Sequence, residues 1–201
     1  MLVIGLTGGM GTGKSEVARI LKELGAELID VDRLGHEAYR PQSEGWKAVV
    51  AEFGEGILQP DGEVDRKKLG AIVFSDPQAL LRLNALLHPR MYGMIEERLQ
   101  ALDRTGAPVA VVDAAVLIEG GWTPLVDEIW VTVADEENVV KRVAQRSNLS
   151  AKEIRQRIRA QIGQEERLRY ATVVIENNKD LDTLRKRVKE LWDSRMRGRA
   201  S

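Results

Sequence analysis

The apolar positions sort this chain into strands and helices. Leu2-Val3-Ile4-Gly5-Leu6 is a short apolar run that ends in glycines, as a strand buried in a parallel sheet does. Apolar residues then recur at Val17, Ile20, Leu21 and Leu24. That i, i+3, i+4, i+7 spacing predicts an amphipathic helix over 15–24, stopped by Gly25. Leu28-Ile29 marks a second strand within 26–32 and runs straight into acids. The opening is a βαβ unit.

Residues 33–105 read as helix after helix. Trp46, Val49, Val50 and Phe53 make one apolar face; Leu69, Ile72 and Val73 make another; Leu80, Leu81, Leu83, Leu86 and Leu87 make a third. Ile95, Leu99 and Leu102 extend the pattern after Met91, and His88, preceding Pro89, is expected at a helix end. Strands resume at 109–112 and 129–133, arginine-rich helices cover 136–147 and 150–167, and a last strand spans 172–175. A closing helix over 181–196 turns Leu184, Val188 and Leu191 inward, with 195–199 a frayed tail. Five strands interleaved with helices predict an α/β fold around a parallel five-stranded sheet. The helical stretch 33–105 is an insertion between two core segments, 1–32 and 106–201.

Composition narrows the classes. The chain has 201 residues, 43% hydrophobic and 30% charged, which excludes extended disorder. A net charge of −1 does not suit a general polyanion binder, so no nucleic-acid partner is expected. Its apolar runs are too short to span a membrane, and the amino-terminal run, stopping at Thr7-Gly8-Gly9, does not read as a signal peptide. The absence of cysteine excludes disulfides, zinc–thiolate sites and a cysteine nucleophile, and a cytoplasmic protein fits. The charge is polarised: residues 141–201 carry 17 Lys and Arg against 8 Asp and Glu, and residues 1–140 carry 13 against 23. Such a chain either steers an anion to one side of a cleft or carries solvated, salt-bridged helix faces.

The most specific signal is Gly8-Gly9-Met10-Gly11-Thr12-Gly13-Lys14-Ser15, a full G-x-x-x-x-G-K-[ST] motif between a predicted strand and a predicted helix. Glycines let the backbone N–H groups turn inward around a phosphate, and the helix amino terminus adds its dipole. Lys14 would neutralise the β- and γ-phosphates, and the Ser15 hydroxyl would hold Mg²⁺. Asp30 and Asp32 end the second strand at the edge where parallel sheets bind ligands. Either Asp32 caps the next helix, or one of the pair, with Asp32 preferred, orients and deprotonates an attacking hydroxyl.

Beyond the loop, Ile29-Asp30-Val31-Asp32 and Leu83-Asn84-Ala85-Leu86-Leu87-His88-Pro89 follow in order. Together with Gly5–Ser15 they resemble the signatures of the dephospho-CoA kinase family, and Val116–Glu119 and Ile175–Asn178 are similar to two further family stretches. Ala115 departs from the pattern, standing where many members carry proline. The resemblance implies a P-loop kinase fold with a helical acceptor-binding region (33–105) and a small helical lid (about 141–170). It implies ATP-dependent phosphorylation of the ribose 3′-hydroxyl of dephospho-CoA, the last step of coenzyme A synthesis, with Mg²⁺ accompanying ATP and no obligate protein partner. Asp32, Lys14 and Arg142 would be catalytic. Gly9, Gly11, Thr12, Gly13, Lys14, Ser15, Glu16, Arg142, Arg146 and Asn178 would bind ATP. Thr7, Asp32, His88, Leu117 and Glu119 would bind the acceptor, and Ser15 the metal.

Other residues keep two readings. Arg142 and Arg146, four apart on one helix face, suit a clamp on phosphate oxygens. Arg155, Arg157, Arg159, Arg167 and Arg169 read as a solvated face, and Trp122 and Trp130 as core. Asp113 either reaches a Mg²⁺ water or caps a strand end. A nucleoside monophosphate kinase shares loop and lid. A nucleotide-dependent switch is disfavoured, because Asn178-Lys179-Asp180 falls one residue short of N-K-x-D and no D-x-x-G follows a strand.

Overall fold

β1 (Leu2–Gly8) is buried over most of its length, as the central strand of a sheet covered on both faces must be. The computed structural model, which describes residues 1–197, sets it in a parallel sheet with β2 (Glu27–Asp30), β3 (Val109–Asp113), β4 (Glu128–Val133) and β5 (Val173–Glu176). The strand order is β2-β3-β1-β4-β5. In register, Leu6 lies opposite Asp113 on one side and Trp130 on the other, so these strands end at one edge.

Alternation divides β1 between two faces. Leu2, Ile4 and Leu6 pack with Val17, Ile20 and Leu21 of α1 (Lys14–Glu23) and with Leu184, Val188, Leu191 and Trp192 of α9 (Leu181–Arg197). On the other face a Cβ at Gly5 would sit 2.6 Å from Leu117 Cδ2, so glycine is what admits that leucine. Trp122 and Trp130 are fully buried. The Trp130 indole donates to Glu128 at 2.7 Å, Arg195 bonds the same carboxylate at 3.2 Å, and its guanidinium lies 5.7 Å over the ring. Arg195, Met196 and Arg197 are therefore the last turn of α9, not a frayed tail, because this contact fixes them; Gly198 and Arg199 lie outside the described residues.

The chain divides into two compact units, one of residues 1–29 with 101 onward, the other Asp30–Gln100. The second contains α2 (Val31–Glu37), α3 (Glu44–Phe53), α4 (Arg66–Ser75) and most of α5 (Pro77–Arg104), with Val49, Ile57, Leu69, Val73, Leu87 and Ile95 buried. Leu81 and Ile72, expected inward, are 60% and 37% exposed. The expected helix end at His88 does not occur: α5 continues through Pro89 for 28 residues. Leu87, Met91, Ile95 and Leu99 are buried at four-residue steps across it, and that continuous stripe outweighs the lost N–H. The helix expected over 150–167 is also two, α7 (Ala151–Arg159) and α8 (Gln164–Leu168), preceded by α6 (Glu136–Arg146). Ser150 and Glu153 form a capping box at the start of α7, and α8 begins afresh at Gly163. Among the described residues no helix is long and apolar enough to cross a membrane.

Pro89 is exposed, so its replacement should relieve the helix without opening a cavity. Pro89→Ala should stabilise the protein by about 2 kcal/mol, the helix-interior cost of proline less its entropic benefit in the unfolded chain. Urea titration will read this as a higher midpoint at unchanged m; a lower midpoint would show that the packing requires the proline.

Candidate active site

The loop from β1 to α1 is shaped by what crowds it. A Cβ at Gly8 would lie 2.0 Å from Thr132 Oγ1, and one at Gly13 would lie 2.1 Å from Asn177 Nδ2. Gly11 and Gly13 hold φ of 73° and 101°, the left-handed region closed to most side chains. Thr12 donates to the Gly9 carbonyl at 2.8 Å and shares a buried hydroxyl contact of 2.7 Å with Thr132. Asn177 Nδ2 donates to the Thr12 carbonyl at 2.9 Å, fastening the loop from the β5 side. Asn178, expected to bind ATP, accepts from the Asp135 N–H through its Oδ1 at 2.8 Å. Only the parallel register puts Asn177 under the loop, so no local signal marked it.

A cavity of about 800 Å³ opens over the loop. Gly9, Gly11, Gly13, Lys14, Ser15 and Glu16 line it, and Arg142 and Arg146 of α6 face it together. Lys14 Nζ donates to Asp113 Oδ1 at 2.5 Å, an ion pair with both side chains mostly buried. Asp113 thus faces the loop lysine rather than merely capping its strand. Ser15 leaves its hydroxyl exposed. Glu16 is engaged by Arg19, which holds its carboxyl below the usual range. Arg142 Nη2 donates weakly to the Lys179 carbonyl at 3.4 Å, while its Nη1 is buried without a partner among the described residues.

Thr7 and Leu117, expected to touch an acceptor, are fully buried. The Thr7 hydroxyl donates to the Ala115 carbonyl at 3.1 Å, so both residues hold the turn after β3. Glu119 is exposed on that turn. The solvated face expected of five arginines holds for Arg157, Arg159 and Arg169. Arg155 instead pairs with Glu136 and Glu137 at 2.9 and 2.6 Å, and Arg167 is 4% exposed because the short α8 turns it inward.

In the helical unit, Asp30 Oδ1 accepts from the Arg33 N–H at 3.0 Å and is the cap of α2. Asp32, in the first turn, is left exposed. His88 is half-buried in α5, and burial pulls its pKa down. A second cavity of about 250 Å³ is lined by Arg33, His36, Tyr39, Arg40 and Arg66 together with Glu37 and Glu63, and Glu37 pairs with Arg33 and Arg40 at 3.5 and 3.3 Å. Burial and then Arg66 lower the pKa of His36, while burial raises that of Tyr39. This basic pocket joins residues far apart in the chain and left no motif.

A parallel sheet whose central strand feeds a glycine loop into a helix, with arginines of further helices facing that loop, defines a P-loop kinase. A family model described as dephospho-CoA kinase matches residues 2–183. A dephospho-CoA kinase from Geobacter sulfurreducens is 49% identical over 195 residues, covering 97% of this chain and 99% of that one. Among solved structures, a Thermus thermophilus protein is similar with a TM-score of 0.80 and 34% identity, covering 96% of this chain and 97% of its own. Dephospho-CoA kinase from Campylobacter jejuni is similar with a TM-score of 0.73 and 25% identity over 98% of each. The chain belongs to the dephospho-CoA kinase family, whose members use ATP to phosphorylate dephospho-CoA in the final step of coenzyme A synthesis.

The threonine pair beneath the loop carries a direct expectation. Thr132→Val keeps shape but leaves the Thr12 hydroxyl without its buried partner, and should cost about 1–3 kcal/mol of stability. Because Thr12 also bonds Gly9, ATP affinity measured by calorimetry should fall as well.

Proposed function

We propose that the chain transfers the γ-phosphoryl group of ATP to the ribose 3′-hydroxyl of dephospho-CoA at the loop cavity, with the helical unit holding the acceptor. The observation that carries this reading is the Lys14–Asp113 pair above the glycine loop: a cation poised for phosphate oxygens beside a carboxylate at the strand edge. Gly9, Gly11, Thr12 and Gly13 cradle the phosphates through backbone N–H groups, and Lys14 moves from Asp113 to the β- and γ-oxygens when the nucleotide enters. Glu16 and Arg146 line the nucleotide side. Asn178 acts at one remove, holding the β5–α9 connection against α6 through Asp135 and Asn138.

Ser15 and Asp113 offer the hard oxygen donors that suit Mg²⁺ with ATP. When bound, the ion would neutralise developing charge on the phosphate oxygens. Arg142 contributes a guanidinium whose buried Nη1 has no partner among the described residues.

On the acceptor side, Asp32 aligns the 3′-hydroxyl and takes its proton as the new P–O bond forms. The capping of α2 by Asp30 supports the choice, since it leaves Asp32 free of that duty. The pocket of Arg33, Arg40 and Arg66 suits the acceptor's diphosphate once Arg33 and Arg40 turn from Glu37, and half-buried His88 gives a neutral contact at neutral pH. Thr7, Leu117 and Glu119 serve the acceptor through the turn after β3. A cytoplasmic enzyme supplied with ATP, needing no partner protein, completes the reading.

ATP turnover with and without dephospho-CoA tests the reaction, since a switch protein would hydrolyse slowly whatever acceptor is added. Asp32→Asn keeps shape and should lower kcat by on the order of 10²–10⁴ with ATP affinity nearly unchanged. If Asp30→Asn loses activity instead, the two roles are exchanged. Arg142→Ala should lower kcat more than it weakens ATP binding, as expected of a group that meets charge developing in the transition state. A rise in KM for ATP alone would make Arg142 a ground-state contact.

A further inference from the structure

Arg167 of α8 is, among the described residues, the charged side chain most withdrawn from solvent, at 4% exposure. Its Nε is sealed from solvent and has no hydrogen-bond partner among the described residues. Burial lowers its pKa, and the field of Glu119 only partly opposes this. A buried guanidinium nitrogen left unpaired is unfavourable, and an anion arriving beside it would remove that cost.

The position of the group says which anion. Arg167 Nη1 lies 3.5 Å from where a Cβ on Gly9 would stand, and Gln161 Oε1 lies 3.6 Å from the same point. With glycine there, no side chain separates the guanidinium from the loop backbone. Gln161 Oε1 in turn accepts from the Met10 N–H at 2.9 Å, so the α7–α8 connection and α8 meet this end of the loop through one amide and one cation. Arg167 lines a further cavity of about 670 Å³ whose wall shares Gly9, Met10 and Gln161 with the loop cavity. Lys14 and Ser15 open α1 at the other end of the loop. The Gly9–Met10 end is left for the terminal group of the polyphosphate.

We infer that Arg167 binds the terminal phosphoryl group of the nucleoside triphosphate at the Gly9–Met10 end of the loop, and so reads triphosphate from diphosphate. The inference rests on the kinase reading above and adds a second arginine to it. Arg167 neither gives nor takes a proton: the γ-phosphorus exchanges its bond to the β-bridging oxygen for one to the acceptor oxygen, and the planar guanidinium holds its non-bridging oxygens meanwhile.

Calorimetric titration of the full chain with β,γ-imido-ATP and with ADP, each with Mg²⁺, tests this in Arg167→Met and Arg167→Lys. Arg167→Met should weaken the imido-ATP complex by about tenfold or more while ADP affinity stays within about twofold, because only the triphosphate reaches the lost charge. Its kcat with dephospho-CoA should fall by on the order of 10²–10³. Tm of the nucleotide-free variant should match or exceed that of wild type, since an unpaired buried charge has gone. Arg167→Lys should show the same selective loss at smaller size, and it decides the matter if Arg167→Met does not fold. Equal weakening of both nucleotides, or kcat within about threefold of wild type, overturns the inference. Wild-type turnover of dephospho-CoA in the same assay separates that result from failure of the kinase reading.

Discussion

The close approach of the β1–α1 loop to β4 and Asn177 is the constraint on which the active site depends. Thr132 lies where a side chain on Gly8 would go, and Asn177 where one on Gly13 would go. The backbone is thereby pressed into left-handed turns at Gly11 and Gly13, and α1 starts directly at Lys14 with its amino-terminal N–H groups facing the cavity. The sheet register then does the rest. Because Leu6 pairs with Asp113, the carboxylate of β3 arrives beside the lysine that the loop presents. Charge, dipole and shape converge through backbone placement, which needs no long side chain to be held in place.

Stability and chemistry occupy opposite sides of β1. The face toward α1 and α9 is apolar throughout, closed by Trp130, Trp192 and Val188, and its energy is that of burial. The edge that carries the loop is crowded with buried polar groups that bond one another and the loop backbone, such as Thr12, Thr132 and Asn177. A protein of ordinary marginal stability can carry such an edge because the other face does not depend on it.

This division explains what was legible in the sequence. The apolar face announces itself through local periodicity, so Val17, Ile20, Leu21, Leu184 and Val188 could be placed in advance, and the glycine motif announces itself through spacing. Asn177 could not be chosen over Asn178, because which of two adjacent residues faces the loop is set by strand pairing. Pro89 misled for a related reason: its local cost is fixed, but the stripe from Leu87 to Leu99 that offsets it belongs to tertiary packing. Asp30 and Asp32 were ambiguous until the strand end was known, since a cap is defined by where β2 stops. Arg167 was hidden among arginines of the same composition, and only the break between α7 and α8 turns it inward.

The positive charge gathered after residue 140 follows the same logic. Most of it is screened: Arg155 meets Glu136 and Glu137, Arg195 meets Glu128, and Arg157 and Arg159 stand in solvent. Arg142 and Arg167 differ, because each has a buried nitrogen with no partner among the described residues. For stability alone, a well-packed apolar residue of similar volume does as well or better. Both stand beside the loop whose ligand is a polyanion, so the cost borne without nucleotide becomes differential binding once it is present. The polarised charge of the chain is therefore mostly surface, with a small buried fraction that acts at the loop.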